Sequence, residues 1–140
     1  MSDKKKILFS IITVVYNGQE HIEECIKSVI TQKNKNFEYI IIDGKSTDNT
    51  NKIIKRYKNN INVYIREKDK GIYDAFNKGM RYAKGKYICI VNSDDKLTPN
   101  ALSIISKYDK KYPNIDFIFG SVRKHWGILH GYRPHKIKYS

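Results

Sequence analysis

A chain of 140 residues with 40% hydrophobic side chains is long enough for one domain with its own core. Its 27 lysines and arginines against 14 aspartates and glutamates leave a net charge of +13, which suits anionic partners: nucleotides, nucleic acid or an anionic membrane surface. The basic residues are scattered rather than blocked, so the excess also fits a general compositional bias, and no run approaches the roughly 18 apolar residues of a spanning helix.

Ile7 to Val15 is rich in β-branched residues and reads as the first strand, closed by the turn signal Tyr16-Asn17-Gly18. Gln19 to Ile30 follows as an amphipathic helix, with Ile22, Cys25, Ile26, Val29 and Ile30 at helical spacing. Phe37 to Ile42 is a second strand ending at Asp43-Gly44. Ser46-Thr47-Asp48 offers N-caps to a second helix that runs to about Tyr57. Ile61 to Arg66 is a short third strand, followed by a charged loop to Gly71. A helix from about Ile72 to Ala83 carries Ile72, Ala75, Phe76 and Met80 on one stripe, with Gly85 closing it. Tyr87 to Asp95, Y-I-C-I-V-N-S-D-D, then reads as a buried strand that ends in two adjacent carboxylates. Thr98-Pro99 looks like an N-cap and first helical position, starting a helix to about Lys111. Phe117 to Gly120 is expected to be a fifth strand.

This β-α-β-α-β-α-β-α-β order implies an α/β fold, with a mostly parallel sheet and helices on both faces. Residues 1–121 form the expected domain. Residues 122–140 form a basic tail without acids, carrying Trp126 and three histidines, His125, His130 and His135, spaced by five. The pattern stops without a closing element, as in the front part of a longer protein. Cys25 and Cys89 sit among apolar neighbours without C-x-x-C spacing, and read as free buried thiols of a reducing compartment. The N-terminus lacks the h-region of a signal peptide. A cytoplasmic location is expected, and a peripheral place at the inner face of the cell membrane is compatible with the charge.

Chemistry concentrates at the strand ends, which lie along one edge of a doubly wound sheet, where ligands bind. Strand one ends near Thr13 to Asn17, strand two at Asp43 and strand four at Asp94-Asp95. Asp43 can accept from a base N–H or a ribose hydroxyl, and Tyr16 can offer its ring face. Asp94 and Asp95 repel each other unless a cation lies beside them, and hard oxygens suit Mg²⁺ or Mn²⁺ holding a diphosphate. Taken alone, a strand-closing aspartate is most often a turn or helix cap. The combination at matching strand ends is what points to a nucleotide-sugar.

Four ordered motifs resemble the inverting family 2 glycosyltransferases. They are S-I-I-T-V-V-Y-N-G at Ser10 to Gly18, E-Y-I-I-I-D-G-K-S-T-D-N-T at Glu38 to Thr50, D-K-G-I-Y-D-A-F-N-K-G at Asp69 to Gly79, and G-K-Y-I-C-I-V-N-S-D-D at Gly85 to Asp95. The third is similar to a motif of polysaccharide-synthesis members. The resemblance implies a Rossmann-like GT-A fold, truncated after the fifth strand. It implies that Thr13, Tyr16 and Asp43 contact the nucleoside, with Asp43 on the base, and that Asp69 and Lys70 lie near the base or diphosphate. Asp94 and Asp95 would hold ribose and Mn²⁺ or Mg²⁺. The implied donor is a UDP-sugar and the implied acceptor a glycan or a lipid-linked acceptor. Asn92 stands where many members carry the first acid of D-x-D, supplying an oxygen without the charge. A downstream histidine is sometimes a further metal ligand in the family, which brings the tail histidines into view; packing or exposure accounts for them as well.

The family's general base, which deprotonates the acceptor hydroxyl, lies well beyond D-x-D. No acid follows Asp116, and Asp109 and Asp116 lie too close after the motif, so the base is expected beyond Ser140. The resemblance implies a metal-dependent, inverting glycosyltransferase of surface polysaccharide synthesis; the alternative is an incomplete fragment that binds donor without turning it over. Two other classes fit less well. A dinucleotide-binding oxidoreductase would also close its second strand with an acid, but the first strand is not followed by G-x-G-x-x-G. A nucleic-acid-binding module would suit the charge and the 11 tyrosines, yet no recognition motif appears, and none is expected as a partner.

Overall fold

The computed structural model describes residues 5–120. β1 (Phe9–Val15), β2 (Phe37–Asp43), β3 (Val63–Arg66) and β4 (Tyr87–Ile90) form one sheet in the order β3-β2-β1-β4. Every pairing is parallel. α1 (Ile22–Ile30), α2 (Thr50–Lys55), α3 (Ile72–Tyr82) and α4 (Ala101–Lys111) alternate with the strands.

β1 and β2 are buried almost throughout, as central strands flanked by helices should be. Their alternate side chains build two cores. Phe9, Ile11, Tyr39 and Ile41 pack against Ile22, Ile26, Ile54 and Leu102 of α1, α2 and α4. Ile12, Val14, Ile40 and Ile42 face α3 through Ala75 and Phe76. Each fully buried isoleucine is worth about 1.5–3 kcal/mol of transfer free energy. α3 approaches β1 closely because Gly79 lacks a side chain, and a Cβ there would stand 2.6 Å from Ile12 Cγ2.

The amino ends of the strands are pinned by a buried acid. Glu38 Oε1 accepts from Ser10 Oγ at 2.6 Å and from Lys84 N at 2.6 Å, while Gly85 N donates to Ser10 Oγ at 2.8 Å. This ties the turn between α3 and β4 to the sheet.

Several sequence expectations need correction. β4 is only half buried: Ile88 and Ile90 are each 47% exposed, because α3 covers β1 and β2 but not their neighbour. Among the described residues, Phe117 to Gly120 pairs with no strand, and Phe117 and Phe119 lie exposed. α1 begins at Ile22 rather than Gln19, which is drawn into a loop contact instead. α4 begins after Asn100, because Thr98 and Pro99 form a preceding turn in which Ala101 N donates to Thr98 O at 3.1 Å. The tail residues His125, Trp126, His130 and His135 lie outside the described residues. Among the described residues, no helix is long and apolar enough to cross a membrane. Cys25 is buried, Cys89 is partly so, and both are free.

α4 is held to β4 by a charged contact. Lys86 Nζ lies 2.6 Å from Asp109 Oδ1, and the Tyr87 hydroxyl donates to the same oxygen at 2.7 Å. The Lys86 and Tyr87 hydrogen bonds hold the Asp109 carboxyl below its ordinary value. A depressed folded-state pKa gives stability that is present above the unfolded value of about 3.9 and lost as pH falls through the folded value. Asp109→Asn is therefore expected to unfold at lower temperature than wild type at pH 7. The gap should close as pH falls below about 4, followed by circular dichroism melts.

Candidate functional site

Parallel pairing brings the carboxyl ends of all four strands to one edge: Val15 lies opposite Asp43, Asp43 opposite Arg66, and Ile12 opposite Ile90. The loops that leave this edge are fastened to one another. Asn17 turns the chain after β1 with φ 50°, a conformation asparagine tolerates better than most residues. Its N–H donates to Ser46 Oγ at 2.9 Å, and its Oδ1 accepts from Thr47 N at 2.8 Å. Gly18 N donates to Thr50 Oγ1 at 2.9 Å, and Gln19 N to Asp48 Oδ2 at 3.2 Å. Ser46, Thr47 and Asp48 were expected as N-caps of α2. They mainly bridge to the β1 loop, although Asp48 Oδ1 also accepts from Thr50 N at 2.9 Å.

Asp43 is placed differently from the expected base contact. Its side chain has no exposed surface. Oδ1 accepts from Ser46 N at 2.8 Å and Ser46 Oγ at 2.6 Å. Oδ2 accepts from the Tyr64 hydroxyl at 3.1 Å and lies 3.4 Å from Arg66 Nε. Burial, then the Asp43 charge, push the Tyr64 phenol far above its ordinary value. Both carboxylate oxygens are engaged inside the protein, so Asp43 organises the edge. Thr13 is likewise enclosed. It is fully buried on the α1 side of β1, 3.0 Å from the Tyr39 hydroxyl and 3.8 Å from Cys25 Sγ. Burial raises the pKa of both Tyr39 and Cys25.

Tyr16, in contrast, is 64% exposed and borders a hollow of about 760 Å³. Gly44, Asn51, Arg66 and Asp69 share its walls, and Lys45, Lys52 and Lys68 add positive charge. Another hollow, of about 470 Å³ beside Leu8, Asn36 and Asp109, lies at the opposite, amino end of the strands. Lys70 does not border the larger hollow; its N–H donates to Asp74 Oδ2 at 2.9 Å, ahead of α3. The loop before α3 is gripped by Lys78. Its Nζ reaches Lys68 O at 2.8 Å, Glu67 at 3.2 Å and Asp74 at 3.3 Å.

Asp94 and Asp95 are exposed in the loop after β4, where Asp95 N donates to Asn92 O at 2.9 Å. This loop adjoins the β1 loop: a Cβ on Gly18 would stand 3.4 Å from Ser93 Oγ, and Cys25 Sγ lies 3.3 Å from Asn92 O. Asn92 Oδ1 is buried and has no hydrogen-bond partner among the described residues.

Residues 10–139 match the family described as glycosyl transferase family 2. The chain belongs to that family. A putative teichuronic acid biosynthesis glycosyltransferase of Bacillus subtilis, TuaG, is 38% identical over 94 residues, covering 65% of this chain and 37% of that protein. The glycosyltransferase GlyG of Streptococcus pneumoniae is 34% identical over 101 residues, covering 70% of this chain and 34% of its own length. The solved structure of S. aureus TarS 1-349 in complex with UDP-GlcNAc superposes with a TM-score of 0.71 at 26% identity, covering 76% of this chain and 32% of that one. The α/β architecture is accordingly the GT-A fold of family 2 glycosyltransferases, and this chain spans about a third of the curated relatives just named.

The acidic loop fits the divalent cation that members of this family commonly use. Two adjacent carboxylates are hard oxygen donors, and Mg²⁺ is often held by one or two carboxylates with substrate phosphates completing its shell. The unsatisfied Asn92 Oδ1 is a further acceptor on the same turn. Among the described residues, no three acids, histidines or cysteines gather to hold a metal unaided.

Sequence reasoning missed Ser46, Tyr64 and Arg66, the partners of Asp43, together with the cationic rim. An arginine closing β3 directly opposite a strand-closing aspartate was the available signal. Asp43→Ala would leave Arg66, Tyr64 and Ser46 without their shared acceptor. Because Arg66 is partly solvated, the expected loss is about 2–3 kcal/mol, less than for a fully buried pair. Asp43→Asn, which keeps one acceptor, should lose less. Urea denaturation of both variants checks the order.

Proposed function

We propose that this chain is the donor-binding part of a glycosyltransferase that passes a sugar from a nucleotide diphosphate to a hydroxyl of a glycan or lipid-linked acceptor in surface polysaccharide synthesis. The observation that carries the reading is one sheet edge on which an open hollow with a cationic rim adjoins a loop bearing two aspartates. A sugar nucleotide asks for both: a cradle for its nucleoside and balanced charge around its diphosphate. The UDP-GlcNAc complex of TarS and the teichuronic acid assignment of the Bacillus relative support the donor and acceptor classes.

Within this reading, Tyr16 presents its ring to the base. Lys45, Lys52, Arg66 and Lys68 attract the anionic donor. Asp94 and Asp95 would hold Mn²⁺ or Mg²⁺, which when bound neutralises diphosphate charge as the nucleoside diphosphate departs. Asp94, which is exposed, would also reach the ribose. No acid follows Asp116, and no residue of this chain is assigned as the base that activates the acceptor hydroxyl. The net charge of +13 suits a cytoplasmic protein working against an anionic membrane surface that presents the acceptor.

Thermal unfolding with UDP-sugars, with and without Mn²⁺, tests the proposal. Ligand at a hundred times its dissociation constant adds about 2.7 kcal/mol to stability, a rise of several degrees for a domain of this size. The wild-type protein should show a donor-dependent rise that Mn²⁺ enlarges, and Asp95→Ala should lose the Mn²⁺ increment. No donor-dependent rise in wild type, or an undiminished Mn²⁺ increment in the variant, counts against it.

A further inference from the structure

The smaller hollow, of about 470 Å³, lies at the amino end of the strands, away from the carboxyl edge. The seven residues of β1, at about 3.3 Å each, put about 20 Å between Leu8 and the loop after Val15. Its walls come from three segments far apart in sequence. Lys5 and Leu8 lead into β1, Asn34 to Asn36 precede β2, and Ser106 and Lys110 belong to α4. Among the described residues, Lys27, Lys78, Lys86 and Lys96 each pair with an acid, whereas Lys5, Lys35 and Lys110 pair with none.

The walls are rich in donors and poor in acceptors. Asn34 Oδ1 accepts from Asn36 N at 2.8 Å, and Asn36 Oδ1 accepts from Leu8 N at 3.3 Å. Both side-chain amides are thereby fixed, and their N–H groups meet no acceptor among the described residues. Lys35 Nζ donates to Ile30 O at 2.6 Å, which holds the ammonium in place with further N–H groups to spare. Ser106 is 8% exposed, and its hydroxyl makes no hydrogen bond among the described residues. The acid on the wall, Asp109, already has Lys86 Nζ and the Tyr87 hydroxyl on Oδ1 at 2.6 and 2.7 Å. The pull of helix C-termini on cations accounts for Lys35 and Lys110. It does not account for Lys5, for the two idle amides or for the Ser106 hydroxyl.

We propose that this hollow is a second anion site, which takes a phosphate ester. The proposal does not depend on the donor-binding reading. A phosphate group is acceptor-only, and its several terminal oxygens can meet ammonium and amide N–H groups on all three segments at once. The volume of the hollow leaves room for the organic part of the ester. Bound there, the ester ties α4 to the segments that lead into β1 and β2. A soluble phosphate ester and the headgroup of an anionic lipid share this chemistry.

Nuclear magnetic resonance titration of the full chain, with inorganic phosphate and glycerol phosphate at fixed ionic strength, tests the site. The backbone amides of Lys35, Asn36 and Ser106 should shift saturably. Lys5→Gln combined with Lys110→Gln removes charge from exposed side chains that make no hydrogen bond among the described residues. It should weaken this binding at least about tenfold, as loss of charged donors does. Lys45→Gln combined with Lys52→Gln, at the other hollow, lies beyond a screening length of about 10 Å and should leave it within about twofold. Circular dichroism confirms that both variants are folded. Flotation with phosphatidylcholine vesicles, with and without phosphatidylglycerol, separates the sources. Phosphatidylglycerol-dependent flotation that the Lys5 and Lys110 changes abolish assigns a lipid headgroup; flotation equal in the two variants assigns a soluble ester. Three results overturn the site whatever the vesicles show: shifts that grow without saturating, binding that survives the Lys5 and Lys110 changes, or binding that the Lys45 and Lys52 changes weaken as much.

Discussion

The Asp43 carboxylate has no contact with solvent, and an ionised carboxylate out of water is tolerated only when its oxygens are paired and hydrogen-bonded. Ser46, Tyr64 and Arg66 meet that demand, and in doing so they fix three segments at once. Tyr64 and Arg66 lock the end of β3 to the end of β2. Ser46 closes the turn after β2, and its hydroxyl also receives the Asn17 N–H, which brings in the loop after β1. The walls of the hollow thus have little apolar core of their own and are held by polar contacts that begin at one buried charge. Preorganised walls lose less freedom when a ligand arrives, which is where such rigidity contributes to affinity.

The same device operates at the other end of the sheet. Glu38 is 4% exposed and engages Ser10 and the backbone of Lys84. β2 runs between the two acids and carries the fully buried Ile40 and Ile41 on its opposite faces. Hydrophobic burial supplies most of the stability of this middle stretch, whereas the buried acids set how the connecting segments leave it. That division explains why α3 can pack on Gly79 at van der Waals limits while the loops beyond each strand end remain polar.

What could be read from the sequence depended on how local the deciding interaction was. β1 and β2 were legible because their long β-branched runs are buried on both faces. Y-I-C-I of β4 looks the same whether or not a helix covers its second face, so the exposure of Ile88 and Ile90 was not. Phe117 to Gly120 has strand-like residues but no partner edge, and pairing is a property of two segments. Asp43 resembles a ligand contact until Tyr64 and Arg66 are known to converge on it from a distant strand. Thr13 is a different kind of miss. It shares the parity of Phe9, Ile11 and Val15, so the alternation of a strand already assigned it to the α1 face. The D-K-G-I-Y-D-A-F-N-K-G motif pointed to the right place, but its Lys70 marks a helix entry and only its Asp69 borders the hollow.

The carboxyl edge divides by both charge and stiffness. Around β2 and β3 it is cationic and heavily cross-bonded. Past β4 it turns acidic, and the turn bearing Asp94 and Asp95 is held by the short Asp95 N to Asn92 O contact and by the thiol of Cys25 on the same carbonyl. Tyr16, in the loop after the strand that separates β2 from β4, stands between the two regions. A ligand with only negative charge would be drawn to the first region and repelled by the second. One that carries a hard cation satisfies both, since the cation relieves the repulsion between neighbouring carboxylates while the anion faces the lysines. On the donor-binding reading proposed above, the rigid half would recognise what does not change during transfer, the nucleoside, and the looser acidic half would follow the diphosphate as its charge rises.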